Sequence, residues 1–229
     1  MNKAFYILIT IALLTFIGCG KKPSGKSEGV ISFKVSYPKM DKKNFMLDFM
    51  PQKMKLKFKD DKYKTSLAAG MGMFKMHFII NPQDEEFSQL VKLIDKKYAL
   101  TLNGDDILES TSKLPNYSVE HTGETKKILN YVCEKAIITV GNDKNDAFTV
   151  YYTDKIEIEN PNAGTQFKDI DGVLLEYQYE KYGICMKFVA QDIQFSPVDD
   201  SEFEINKEYN SISEAEMNKE MQEIFDSFK

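Results

Sequence analysis

The chain has 229 residues and a net charge of −5, with 30 basic residues that are all Lys and no Trp. Without Arg it lacks the bidentate guanidinium fork that recognises phosphates and bases, which argues against nucleic-acid binding. The charge is uneven: residues 34–64 carry ten Lys against four Asp, and residues 154–229 carry 18 Asp and Glu against seven Lys. Such a charge asymmetry is evidence about which molecules the surface attracts, and it says nothing about the fold.

The N-terminus has the pattern of a secretory signal. Lys3 precedes an apolar run from Ala4 to Ile17, which matches a signal-peptide core and is too short for a membrane span. Its ending, Ile17-Gly18-Cys19, resembles the bacterial lipobox, in which the cysteine is diacylated and becomes the first mature residue. The resemblance implies a signal peptide over residues 1–18 and a lipid anchor on Cys19, since two or more acyl chains hold a protein stably in a membrane. The alternative is an ordinary secreted protein whose signal contains a cysteine.

Residues 19–29 are a predicted tether, because GKKPSGKSEG (20–29) has nothing to bury. Gly20 stands where an aspartate would retain a lipoprotein in the inner membrane of enteric bacteria, and no acidic cluster follows to direct it to the cell surface. By this analogy we expect an outer-membrane lipoprotein on the periplasmic face. About 200 residues remain, enough for one domain with its own core, over 30–229.

Period-two alternation predicts most of the domain to be strands. Apolar and polar residues alternate over 31–37, 54–58, 63–67 and 74–80, the pattern of an antiparallel meander with one solvated face. After Asn81-Pro82 the period changes to helical spacing. This predicts a short amphipathic helix with the apolar stripe Phe87, Leu90, Val91 and Ile94.

The rest of the chain repeats this style. A polar loop is predicted over 103–127, with a short strand near 117–121. An apolar parity switch predicts a β-bulge near Gln191-Asp192, and the capping box Ser213-Glu-Ala-Glu216 opens a C-terminal helix. We therefore expect an α+β domain, in which a strongly curved antiparallel sheet has its concave face covered by the two helices. The remaining predicted strands are 98–102, 131–140, 147–153, 173–179 and 184–195, and the C-terminal stripe is Met217, Met221, Ile224, Phe225 and Phe228.

Residues 124–206 carry a family resemblance. Five segments in this order are similar to envelope lipoproteins of the domain of unknown function 4412 type: ETKKILNYVCEKA, VYYTDKIEI, FKDIDGVLLEY, MKFVAQDI and DDSEFEI. Those proteins are related to the Gly-Leu-Pro-Gly-Leu-Ile family and to the half-barrel fold of the lipoprotein carrier LolA and its receptor LolB. The resemblance implies an incomplete barrel whose cavity accepts acyl chains. Its motifs are structural rather than catalytic, so they say little about activity.

An unpatterned apolar run, FMLDFM, precedes the second strand. In a half-barrel, the segment after the first strand can lie across the mouth of the cavity, and methionine adapts its shape to varied apolar ligands. The alternative is that these side chains and the C-terminal helix fill the core. The candidate lining of a hydrophobic-ligand site is therefore Phe45, Met46, Leu47, Phe49, Met50, Met54, Met71, Met73 and Met76.

A comb of lysines follows this run. Lysines on a solvated sheet face block strand-to-strand aggregation, and the same comb is a candidate contact for anionic membrane head groups. The sequence leaves both interpretations open. The comb consists of Lys53, Lys55, Lys57, Lys59, Lys62 and Lys64.

Cys133 and Cys185 would be in an oxidising compartment, so a disulfide is possible, although sequence cannot judge its geometry. His77 and His121 are predicted on the surface, and no motif for a metal, a cofactor or catalysis is present. We therefore expect a non-enzymatic binding module for a lipid, acyl chain or apolar peptide. The first alternative is a structural or assembly partner of another envelope protein, with its cavity filled by its own side chains. A hydrolase using unrecognised carboxylates is the second.

Overall fold

The computed structural model describes residues 27–141 and 147–226. The signal peptide, Cys19 and the tether as far as residue 26 lie outside the described residues. Within the described ranges the chain forms one sheet of twelve strands and two α-helices, α1 (Gly104–Ser112) and α2 (Glu214–Asp226). The strands are β1 (Glu28–Ser36), β2 (Lys53–Lys59), β3 (Lys62–Ala69), β4 (Phe74–Asn81), β5 (Glu86–Leu93), β6 (Lys96–Asn103), β7 (Tyr117–Ile128), β8 (Tyr131–Val140), β9 (Ala147–Thr153), β10 (Val173–Lys181), β11 (Ile184–Gln194) and β12 (Asn210–Ser211).

The sheet is curved and does not close on itself. Its strand order is β12-β6-β5-β4-β3-β2-β1-β11-β10-β9-β8-β7. The two-residue β12 pairs in parallel with β6, and the other neighbours are antiparallel. Because β11 returns beside β1, the two halves of the chain join into one surface. The predicted curved antiparallel α+β architecture is confirmed at this level.

Alternation in β1 shows how the sequence builds the sheet. Ile31, Phe33 and Val35 are 0 to 2% exposed and form the inner face, while Lys34 between them is exposed. Side chains alternate between the faces of a strand, so this pattern leaves one face apolar and the other solvated. We call the face that carries Phe33 the inner face and the opposite one the outer face.

The predicted bulge in β11 is confirmed. Ser32 pairs with Asp192 and the next residue, Phe33, pairs with Ala190, so Gln191 is the additional residue of β11. A bulge turns the following side chains to the other face and increases the local bend of the strand. This accounts for the parity switch in the sequence and places one of the bends at the join between the two halves of the sheet.

The helix predicted after Asn81-Pro82 is wrong, because the segment forms strand β5. β5 pairs with β4 along its whole length and with β6 on its other side. Four consecutive residues of β5, on both faces, are at most 5% exposed: Ser88, Gln89, Leu90 and Val91. Burial on both faces removes the period-two signal and leaves apolar residues at a spacing that imitates a helix.

An acidic segment, the outer strap (residues 199–209), covers the outer face between β2 and β6. Glu202 pairs with Lys57 at 2.6 Å, and Asp200 pairs with Lys59 at 2.9 Å. Two aromatic side chains of the strap, Phe203 and Tyr209, pack on a second small core formed by Ile79, Leu90 and Ala99. The strap therefore buries the outer face of β4 to β6 and carries the chain from β11 to β12.

The segment predicted as a loop over 103–127 contains α1, and the short strand predicted near 117–121 is the start of the twelve-residue β7. α1 has no fully buried residue, so its sequence lacks a strong apolar stripe. β7 is the last strand of the sheet at the opposite end from β12, and most of its side chains are exposed. A polar edge strand and a partly exposed helix both resemble a loop in composition.

The C-terminal helix α2 is confirmed, with its capping box. The Ser213 hydroxyl accepts the Glu216 N–H at 3.3 Å, and the Glu216 carboxylate accepts the Ser213 N–H at 2.9 Å. Met217 and Met221 are 0% exposed within the main core, and the Phe225 ring stacks on Tyr182 with centroids 5.3 Å apart. α2 therefore covers part of the inner face, and Phe228 lies outside the described residues.

If α2 holds the inner face through its buried stripe, Met221→Ala should lower the free energy of unfolding by about 2 to 5 kcal/mol, the usual cost of truncating a fully buried methionine. Lys219→Ala, an exposed change on the same helix, is the matched control and should stay within about 0.5 kcal/mol. Urea unfolding followed by circular dichroism measures both. Equal effects of the two changes would show that α2 is not packed in this way.

Candidate functional site

A cavity of about 260 Å³ lies between the inner face of the sheet and its cover. Its sheet wall comes from β1 to β6 and from β10 and β11, so the curvature wraps the wall around the space. The cover comes from α1, α2 and residues 161–167. Representative lining residues are Phe33, Leu56, Thr65, Phe78, Leu102, Ile107, Phe167, Phe188 and Phe225.

The wall is built from cross-strand rows of side chains. One row runs Leu56, Thr65, Phe78, Gln89 and Leu100, each directly opposite the next across adjacent strands. Residues opposite each other in antiparallel strands share a face, with Cβ atoms about 5 Å apart. All five line the cavity, which therefore spans the sheet from β2 to β6.

Aromatic rings close the side of the cavity near β10. Tyr177 stacks on Phe188 with ring centroids 4.8 Å apart, and it meets Phe33 and Phe167 edge to face at 6.1 and 5.6 Å. Burial raises the pKa of the Tyr177 hydroxyl above its usual range, and this hydroxyl contacts the Met54 sulfur at 3.8 Å. The rings give this wall a rigid apolar surface.

Two buried polar groups line the cavity without a strong partner. The Tyr63 side chain is 4% exposed, and its hydroxyl has no hydrogen-bond partner in the described parts of the chain. Gln89 is 5% exposed, and its amide nitrogen lies 4.0 Å from the Met76 sulfur, a weak acceptor. A buried polar group left unpaired costs about 1–3 kcal/mol, so such groups are uncommon in a core that only packs.

One end of the cavity is polar and lies where α1 meets α2. The Glu214 carboxylate accepts the Ser110 hydroxyl at 2.7 Å and the Lys113 ammonium at 3.3 Å. The Tyr182 hydroxyl donates to the Asn218 side chain at 2.9 Å. The hydrogen bond from Ser110, followed by that from Lys113, lowers the pKa of Glu214 against the opposing effect of burial. This carboxylate is therefore charged at neutral pH.

The structure places only part of the predicted apolar lining at this cavity. Met54 and Met76 line it, whereas Met50 is 2% exposed within the main core. The run from 45 to 49 forms a short 3₁₀ helix between β1 and β2 that has no buried residue. Of the seven predicted residues that do not line the cavity, four are more than half exposed: Phe45, Phe49, Met71 and Met73, while Met46 and Leu47 are half-buried.

Lining residues such as Tyr63 and Leu102 occupy inward positions of predicted strands. The alternation that predicted those strands could therefore also have identified these residues as part of the inner face. The inward position of Gln89 could not be predicted from strand alternation, because its segment was predicted to be a helix. Methionine content was the weaker signal: exposed Met71 adopts a positive φ of 53° in the turn between β3 and β4.

The lysine comb lies on the outer face and is partly neutralised by the outer strap. Lys57, Lys59 and Lys64 pair with Glu202 or Asp200. The Lys64 ammonium also donates to the Glu202 carbonyl at 2.8 Å. The basic and acidic halves of the sequence therefore meet within this fold. Across the described ranges, no carboxylate lies within 4 Å of the ammonium groups of the remaining three, Lys53, Lys55 and Lys62.

The disulfide considered between Cys133 and Cys185 does not form. Cys133 is in β8 and Cys185 in β11, with β9 and β10 between them in the sheet. Three strand spacings amount to roughly 14 Å, whereas a disulfide needs Cα atoms within about 7 Å. Both cysteines are buried, and burial raises the pKa of the Cys133 thiol.

Comparison with known proteins adds no assignment: no protein-family model and no curated protein matches the chain. Within residues 27–141 and 147–226, no group of three or more His, Cys, Asp and Glu side chains could hold a metal ion. In the same ranges, no helix has the length and apolar character needed to cross a bilayer.

His77 gives the fold a pH dependence. It lies on the outer face and shares a 2.8 Å hydrogen bond with Ser66, and burial, assisted by Lys64 and Lys75, lowers its pKa to about 4. Unfolded histidine titrates near 6.5. Between these values the unfolded chain binds a proton that the folded chain does not, so the contribution of His77 to stability is present above about pH 6.5 and is lost as pH decreases toward 4.

We expect His77 to account for a loss of up to about 3 kcal/mol in the free energy of unfolding between pH 6.5 and 4.5. His77→Gln should flatten the profile in this window. Urea unfolding at closely spaced pH values measures it. A profile unchanged by the substitution would exclude His77 as its origin.

Proposed function

We propose that the chain is a non-enzymatic lipoprotein of the bacterial envelope that holds an apolar ligand in the inner-face cavity. The observation that carries the proposal is a cavity lined by apolar side chains together with two buried polar groups, the unpaired Tyr63 hydroxyl and the Gln89 amide, whose nitrogen contacts only the weak acceptor Met76 sulfur. Ligand sites combine an apolar lining with a few placed polar groups in this way. A self-filled core would leave neither the space nor these groups.

The candidate ligand classes are a lipid, an acyl chain or an apolar peptide. The volume of about 260 Å³ is close to the lower limit of about 300 Å³ for typical ligand sites. A curved, unclosed sheet with helices over its inner face is compatible with the half-barrel that the sequence resemblance implies. On that basis we propose a relationship to the LolA and LolB half-barrels and place the domain at the periplasmic face of the outer membrane.

The second candidate function is assembly with another envelope protein. The observation that favours it is β7, which ends the sheet and pairs with β8 on one side only. An extended segment of a partner could add to such an edge. A register shift between His121 and Thr125 interrupts the edge, however, and Lys126 and Lys127 follow it. Bulges and lysines are the usual protection of an edge against pairing, so the cavity remains the stronger site.

Native mass spectrometry of the protein purified with Cys19→Ser tests the binding function. The expected spectrum shows the protein and, at low collision energy, an additional species carrying a non-covalent apolar molecule. Leu100→Phe, which puts a larger ring into the cavity wall, should reduce that species. A spectrum with the unliganded mass alone, from protein that also fails to take up 1-decanol, would contradict the proposal. Co-purification of a stoichiometric protein would favour the assembly function.

Tyr63→Phe tests whether the buried Tyr63 hydroxyl lacks a hydrogen-bond partner. In protein freed of ligand by refolding from denaturant, the substitution should raise the free energy of unfolding by about 1 kcal/mol, because it removes an unpaired buried group. Tyr37→Phe is the matched control. The Tyr37 hydroxyl donates to the Pro51 carbonyl at 2.7 Å in a buried position, so its loss should be destabilising by a similar amount. Destabilisation by Tyr63→Phe would show that its hydroxyl already has a partner.

The membrane anchor is tested through the lipobox cysteine. Cys19→Ser removes the thiol that carries the acyl chains, so the protein should move from the membrane fraction to the soluble fraction of the envelope. Metabolic labelling with an alkyne fatty acid should mark the wild-type chain and not the variant. Membrane retention of the unlabelled variant would show that another part of the chain provides the attachment.

A further inference from the structure

Lys181 brings a positive charge to the polar end of the cavity, which Glu214 also lines. It is the last residue of β10, on the same face as Tyr177 and Tyr179, and all three line the cavity. Its ammonium lies 5.1 Å from the centre of the Tyr182 ring, a cation–π contact. Across the described residues, no carboxylate oxygen lies within 4 Å of this ammonium. Lys181 therefore lines this cavity without a direct ion pair.

The nearby Glu214 acts on Lys181 only at a distance and makes no direct ion pair with it. Its two carboxylate oxygens are bound by the Ser110 hydroxyl and the Lys113 ammonium. Burial lowers the pKa of Lys181, while the charge of Glu214 opposes that change without a contact between the two. A lysine that has already lost part of its hydration gains more from a well-placed anion than a fully solvated lysine does, because less desolvation remains to oppose the pair.

We propose that the ligand is a single-chain amphiphile with a terminal carboxylate, which pairs with the Lys181 ammonium while its alkyl chain occupies the cavity. This inference rests on the proposed binding function and names the ligand class. The volume fits one chain: 260 Å³ corresponds to about nine groups of the size of a water molecule, each about 30 Å³ and close to a methylene in size. A lipid with two or three long acyl chains exceeds this space.

The charges around the polar end select the head group. A cationic head would be repelled by Lys181, and Glu214 attracts it less than a free carboxylate would because Lys113 already pairs with that carboxylate. A phosphate monoester carries more negative charge than a carboxylate and would lie beside the ionised Glu214, and the chain has no Arg with which to clamp it. A carboxylate carries one charge, which one lysine neutralises. The side chains at this end of the cavity therefore favour a monoanionic head over the alternatives.

Isothermal titration of the Cys19→Ser protein with decanoate, 1-decanol and decyltrimethylammonium tests the inference. The three probes share one tail and differ in the charge of the head. We expect decanoate to bind at least about tenfold more tightly than decanol, the gain typical of a charge-assisted pair, and the cation to bind more weakly than either. Lys181→Met should abolish the preference by weakening decanoate alone, and Lys181→Arg should retain it.

Lys92→Met is the matched control, since Lys92 is a strand lysine that does not line the cavity, and it should leave all three affinities unchanged within about twofold. Equal binding of decanoate and decanol to the parent protein would overturn the carboxylate assignment while the binding function stands. A preference that survives Lys181→Met would also overturn it. If none of the three probes binds, the carboxylate inference and the proposed function fail together.

Discussion

The fold depends on covering the inner face of an open sheet. A closed barrel buries its inward side chains by closure, but this sheet ends at β7 and β12, so its apolar face must be covered by other parts of the chain. α2 contributes four buried residues to that cover, and α1 and residues 161–167 extend it. The cover spans the curved wall without filling the space beneath it. The cavity is thus a direct consequence of how an unclosed sheet is covered.

The outer strap links the two faces of the molecule. It leaves β11, crosses the lysine comb through Glu202 and Asp200, and delivers the chain to β12 and then to α2. The ion pairs are partly exposed and contribute little individually, whereas the aromatic contacts of Phe203 and Tyr209 bury the outer face of β5. Part of the charge asymmetry of the sequence therefore serves internal contacts, which weakens it as an argument for an external partner.

The sequence predicted correctly those elements whose apolar residues lie on one face of a strand or along one stripe of a helix. The alternating strands, the bulge at Gln191 and the capping box at Ser213 each rest on local chemistry, and each is confirmed. The prediction for the β5 segment was wrong because the second face of β5 is buried by the outer strap, which lies more than a hundred residues later in the sequence. α1 was not predicted, and only the start of β7 was, as the short strand near 117–121, because exposed elements leave a weak apolar period. The predicted cavity lining was wrong where residues were chosen because they are methionines and not because they face inward on a strand. Met71, which is fully exposed, is an example.

The cavity also has an energetic consequence. Empty apolar volume costs about 24 cal/mol per Å³, so 260 Å³ amounts to at most about 6 kcal/mol, comparable to the whole stability of a typical domain. The unpaired Tyr63 hydroxyl adds to that cost. A sequence selected for stability alone would fill the space with larger side chains, as the main core does around Met217 and Met221. Occupation by a ligand would recover this free energy, and mass action then couples folding to ligand concentration. Under the proposed binding function, the side chains that weaken the empty domain would be those that give the occupied domain its affinity.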